Sequence, residues 1–153
     1  MALANTFDKT VTEDNIQRLE RLKFDTQPQW GKMNAPQMLA HVNVAYELAY
    51  GRLTPKNPPY LLRLIIKLLI KDSVVNEVPY KRNSRTSPVF LISDERDFEK
   101  EKANLIKNLT ETAQKGPQYF EGKEASSFGV LTSKEWSNMF QKHLEHHFGQ
   151  FNI

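Results

Sequence analysis

Apolar residues recur every three or four positions along four stretches of this chain, and proline- or glycine-bearing connectors separate them. That spacing is the mark of amphipathic helices. The first is expected from Thr12 to Lys23: Thr12 caps it, Glu13 and Asp14 suit the positive end of the helix dipole, and Ile16, Leu19 and Leu22 follow at helical spacing. FDTQPQWGKM reads as a connector broken by Pro28 and Gly31. Asn34 then caps a second helix, NAPQMLAHVNVAYELAY, with Pro36 in its first turn and Gly51 beyond its end. A long third stretch, DERDFEKEKANLIKNLTETAQK, opens at Ser93 or Asp94, carries Phe98, Lys102, Leu105, Ile106 and Leu109 on its inner face, and stops at Gly116–Pro117. Its charges read as i, i+4 pairs on an exposed face. The last helix begins at TSKE, a capping box formed by Thr132 and Glu135.

Between these stretches the pattern changes. GRLTPKNPPY is a loop, and YLLRLIIKLLIK after it is apolar almost all round, interrupted by Arg63 and Lys67. At about twelve residues it is too short to cross a bilayer, which takes roughly 20. Its composition predicts a helix buried on more than one side, or a contact between two copies of the chain through Leu61–Ile70. VVNEVPYKRNSRTSPVFLIS and QYFEGKEASSFGV read as irregular chain, with Lys81, Arg82 and Arg85 in a solvated turn. No run of strands is predicted. The expected fold is all-α: one domain over residues 1–153, a four-helix bundle with two long connections and a short extra apolar helix.

Composition narrows the chemistry. The 153 residues are 39% hydrophobic and 25% charged, and 21 basic against 18 acidic residues leave a net charge of +3. That balance is too mild and mixed for a nucleic-acid binder, and no membrane association is expected. With no cysteine, thiolate metal sites, disulfides and a cysteine nucleophile are excluded. MALANTFDKTV lacks a basic segment followed by an apolar one, which predicts a cytoplasmic protein. There is no glycine-rich phosphate loop, no G-x-S-x-G and no H-E-x-x-H.

The candidate chemistry lies in the histidines. Of four in the chain, three fall in HLEHHFGQFNI at the C-terminal end: His143, His146 and His147. On a helical wheel Trp136, Met139, Phe140, His143, His147 and Gln150 share one stripe, the face that packs inward. His143 and His147 are therefore neighbours on successive turns, about 5–6 Å apart at Cβ, a separation at which two imidazoles can ligate one metal ion. His146 points roughly 100° away from His147, toward the rim, where it orients substrate, acts as an acid or base, or faces water. His41 lies on the apolar stripe of the second helix with Met38, Val44, Ala45 and Leu48. Two inward helix faces thus carry imidazole, and three histidines leave coordination positions open for water or substrate. The plainer alternative is that these histidines are hydrogen-bonded core residues.

Three segments, WGKMNAPQMLAH at Trp30 to His41, FGVLTSKEW at Phe128 to Trp136 and KHLEHHFGQF at Lys142 to Phe151, resemble the DinB/YfiT-like metalloenzyme superfamily, in one of its branches of unknown function. The resemblance covers most of the chain from Trp30 onward and is loose around LLRLIIKLLI. It implies a four-helix bundle holding a divalent metal on three histidines, one from the second helix and two from an H-x-x-x-H in the last: His41, His143 and His147. Nickel, zinc, manganese and iron are the candidate ions. Characterised relatives include transferases and isomerases that use low-molecular-weight thiols such as bacillithiol, mycothiol or glutathione. The resemblance therefore implies a metal-dependent enzyme with a small-molecule substrate, acting on a thiol or on water. Its open site is expected beneath the loops around Pro55–Tyr60 and Pro117–Phe128, and Arg63, Lys67, Lys81, Arg82 and Arg85 are the candidates to hold an anionic cofactor. The rival expectation is a non-catalytic helical protein that works by association through Leu61–Ile70.

Overall fold

The computed structural model describes residues 2–55 and 59–153, and these are mainly helical. Six α-helices follow in order: α1 (Lys9–Arg21), α2 (Ala35–Ala49), α3 (Tyr60–Leu69), α4 (Lys71–Val75), α5 (Phe98–Phe120) and α6 (Ser133–Phe151). A 3₁₀ turn, Pro88–Phe90, precedes α5. A two-residue antiparallel ladder not expected from the sequence, β1 (Glu124–Ala125) with β2 (Gly129–Val130), precedes α6. The all-α class holds.

Capping decides where α2 and α6 begin. Asn34 accepts from the Gln37 backbone while the Gln37 side chain returns to the Asn34 backbone, and Thr132 and Glu135 make the same reciprocal pair. The other two starts differ from expectation. Helix α1 begins at Lys9 after Asp8, so Thr12 lies inside it as a buried residue rather than capping it, and the helix ends at Arg21 instead of Lys23. Helix α5 begins at Phe98, where Asp97 accepts from the Lys100 backbone. Ser93 and Asp94 stay in the connection, Asp94 bound instead to Arg96. Gly116, at φ 68°, breaks the α5 helix as expected, and Pro117 restarts a last turn to Phe120.

One core joins α1, α2, α5 and α6. Leu19, Met38, Leu39, Leu105, Phe120 and Leu144 have no more than traces of exposed surface. Tyr46 of α2 stacks on Phe140 of α6 with ring centroids 4.6 Å apart and planes 5° from parallel. Buried polar pairs fix the register between helices. Asn15 and Gln141 exchange amide hydrogen bonds between α1 and α6. Asn108 of α5 donates to Asn43 of α2, and Tyr50 and Thr112 hydroxyls meet at 2.8 Å. Each such group would cost about 1–3 kcal/mol if buried alone, so these pairs penalise a slipped packing. The charges of α5 do not form the expected ladder: Lys102 reaches Glu20 of α1, Arg96 reaches Asp94 and Glu101, and only Lys115–Glu111 is an i, i+4 pair on that helix.

Helix α3 departs from the first of its two expectations, burial on more than one side; a contact between copies was the other. None of its ten residues is buried. The helix expected to be covered on more than one side lies outside the core, attached through α4. Helix α4 in turn is clasped to α6 by polar contacts: Asn138 donates to the Val75 carbonyl, and the buried Lys142 ammonium donates to Ser73 O, Asn76 O and Asn76 Oδ1 at 2.7–3.2 Å. No described helix is long and apolar enough to cross a membrane.

Candidate metal centre

The packing of α2 on α6 brings His41, His143 and His147 together. One nitrogen of each lies within 4.8 Å of those of the other two, and the ring centroids are 4.6–4.9 Å apart. His41 Nε2 and His143 Nε2 are 2.9 Å apart. His41 and His147 are buried, and His143 is partly so.

Two of the three outer nitrogens are fixed by partners of known polarity. His41 Nδ1 lies 2.8 Å from the Phe90 carbonyl, which can only accept, so Nδ1 carries the proton and Nε2 offers its lone pair inward. The same logic runs through Gln150. Its Nε2 donates to the Trp30 carbonyl at 2.7 Å, which turns its Oε1 toward His147 Nδ1, also 2.7 Å away. His147 Nδ1 therefore carries the proton, and its Nε2 is free to ligate. A metal-bound histidine ordinarily donates its other N–H to a carbonyl or similar acceptor, and two of the three do so here.

Burial also sets the charge state. It pushes all four imidazoles below the usual histidine value: His147 to about 3 with help from nearby His41, His143 well below with help from His147 and His41, and His41 lowered against a raising contact with Phe90. His146 is lowered by burial and pulled back by a main-chain hydrogen bond with Tyr80. Near pH 7 the three clustered rings are thus neutral, which is the form that binds metals.

His146 does not belong to the converging group. It is half-buried beside His147, with ring centroids 5.0 Å apart, and its edges meet Trp30 at 5.7 Å and Tyr80 at 5.8 Å. It pins the segment around Tyr80 against α6. Phe90 packs on His41 and His143 while Trp30 and Tyr80 pack on His146, and sequence reasoning gave none of the three a role because only the fold brings their connections here. Arg82 stacks its guanidinium 4.2 Å over the Trp30 ring. The buried Trp30 Nε1 has no hydrogen-bond partner among the described residues.

Of the five cations considered for an anionic cofactor, Arg82 is the one stacked on Trp30 beside His146. Arg63 pairs with Glu124, and Lys67 lies along Gly129. Lys81 and Arg85 are exposed. The stretch Pro117–Phe128 does not shelter the histidines. Its Lys123 carbonyl accepts from Trp136 Nε1 and its Phe120 packs on Trp136, two turns N-terminal to His143 on α6. Residues 56–58 of the Pro55–Tyr60 loop lie outside the described residues. Two open surface depressions of about 580 and 530 Å³ lie along α1 near Arg18 and beside Arg52, and neither is lined by a histidine.

Fold and site together define an all-α protein with a three-imidazole cluster that fits a transition-metal ion. Residues 4–152 match the family described as protein of unknown function, DUF1569, and the chain belongs to that family. No curated protein and no solved structure matches the chain.

Proposed function

We propose that the protein is a metal-dependent enzyme built on a four-helix bundle of the DinB/YfiT type, with a divalent ion held by His41, His143 and His147. The observation that carries this reading is the convergence of three neutral imidazoles from two helices, two of them oriented by dedicated acceptors. Of the candidate ions, the all-imidazole donor set suits nickel, zinc or iron better than manganese, which favours oxygen ligands. Three protein ligands are the number that leaves room for a reacting molecule.

A bound ion supplies Lewis acidity there and favours the deprotonated form of a coordinating thiol or water. The chain's own residues do the rest. Phe90 O and Gln150 fix two ring tautomers, Phe90 packs on His41 and His143, and Arg82 beside Trp30 offers a cation to an anionic group on the substrate. The resemblance to the DinB/YfiT-like superfamily supplies the reaction class: S-transfer or isomerisation using a low-molecular-weight thiol, or hydrolysis.

The decisive measurement is metal content by plasma mass spectrometry on untagged protein beside a His143→Ala/His147→Ala variant. About one transition-metal ion per chain, lost in the variant, is expected. No metal in either after incubation with nickel, zinc, manganese and iron would overturn the proposal.

The exposed apolar face of α3 favours a second reading, a non-catalytic helical protein that works by association. Thiol or ester turnover by the metal-loaded protein separates the two.

A further inference from the structure

Helix α3 is amphipathic, but its faces are reversed relative to an ordinary surface helix. Its cations are turned to the protein: Arg63 reaches Glu124 at 3.6 Å, and Lys67 lies along Gly129, with Nζ 3.4 Å from where a Cβ on that residue would stand. Lys71, just beyond the helix, reaches Glu135 at 2.8 Å. At 100° per residue, Leu64, Leu68, Leu61, Ile65, Leu69 and Leu62 occupy a continuous arc of about 160° on the other side. These six are 40–75% exposed, and Tyr60 and Ile70 flank them at 81% and 45%.

We propose that this face is the contact through which two copies of the chain associate, α3 against α3 about a two-fold axis. Three observations favour a second copy as the occupant. The first is area. The six side chains of the arc, with Tyr60 at its edge, present several hundred Å² of exposed apolar surface, of the order of the roughly 800 Å² that one partner contributes to an interface of standard size. Patches of that extent on a monomer mark interaction sites. The second is charge. Among the described residues Arg63 and Lys71 are paired with acids of their own chain, and Lys67 lies over Gly129, about 140° from the middle of the apolar arc, so no described cation stands within that arc. An anionic lipid surface or an acidic peptide would gain little there, whereas an identical neutral face meets no like-charge repulsion. The third is symmetry. A uniform leucine–isoleucine surface is complementary to itself, as an isologous contact requires.

The contact is also separable from the fold, because α3 places no residue in the core. The test is sedimentation velocity with the full chain up to about 100 µM, where micromolar association shows as dimer. Beside it run an Ile65→Glu/Leu69→Glu variant and vesicles of phosphatidylcholine with phosphatidylglycerol. Expected are twice the 17.8 kDa chain mass for the wild type and the single mass for the variant, with unchanged helical circular dichroism and unchanged metal content. A wild type that stays monomeric over the whole range, with or without vesicle binding, overturns the proposal. So does a dimer that survives the double substitution. The metal reading is independent of either result, since metal content is measured on the same samples.

Discussion

Gln150 Oε1 accepts a hydrogen bond from His147 Nδ1 at 2.7 Å, and the same amide is held from behind by the Trp30 carbonyl. One side chain thus sets the tautomer and the plane of a candidate ligand. Gln150→Leu should weaken metal binding by about 10–100-fold, the usual cost of losing such a partner. Competition against a chromophoric chelator measures this, and an unchanged affinity would remove Gln150 from the site.

Gly31 makes that arrangement possible. Its backbone is left-handed at φ 84°, and a Cβ there would stand 2.6 Å from Gln150 Nε2. Gly51 is left-handed too, at φ 69°, with nothing within 4 Å. Gly51→Ala should cost only the backbone strain, roughly 1–2 kcal/mol. Gly31→Ala should carry that cost and also displace Gln150, so it alone lowers metal affinity. Comparing urea unfolding and metal titration for the two variants checks the distinction.

Acid should destabilise the metal-free protein. The four imidazoles have lower proton affinity folded than unfolded, with His147 at about 3. Above the unfolded value near 6.5 both states are neutral and the effect vanishes. As pH falls below it, the unfolded chain takes up protons that the native chain refuses, and stability drops by up to about 1.4 kcal/mol per pH unit for each of the well-buried His143 and His147, and by less for the half-buried His146. Denaturant midpoints at pH 7.5, 6 and 5 should therefore decline in sequence, and a flat profile would contradict the burial of these rings.

Tyr46 offers a prediction of opposite sign. Its hydroxyl is buried with no partner among the described residues, and burial raises its pKa. Tyr46→Phe keeps the stack on Phe140 and removes an unpaired polar group. Stability should rise by about 1 kcal/mol, seen as a Tm increase of roughly 2–4 °C. A drop in Tm would mean that the hydroxyl has a partner in solution.

How much the sequence disclosed depended on what each feature rests on. The starts of α2 and α6 were legible because Asn34–Gln37 and Thr132–Glu135 satisfy their own helix ends locally. The start of α1 was not: Asp8 makes no side-chain cap, and Thr12 looks like one but packs inside. At α5, Asp94 and Asp97 competed, and tertiary contacts of Arg96 and the burial of Phe98 decided between them. Periodicity placed His143 and His147 on one face of α6, whereas α2 is buried on nearly every side, so its stripe alone did not single out His41. The same periodicity described α3 and could not tell which way it faced, because Glu124 and Gly129, which hold its cations, are some sixty residues away. Trp30, Tyr80 and Phe90 lie in connections with no period to read.

His41 and His143 are 102 residues apart in the chain. In the unfolded chain their imidazoles meet only at the entropic cost of closing that loop, so a preformed site exists only once α2 has docked on α6. An ion at this cluster therefore acts as a removable cross-link between distant parts of the chain. By mass action it stabilises the native state by about 2.7 kcal/mol at a free concentration 100 times its dissociation constant. Metal supply would then set what fraction of the chain stays folded.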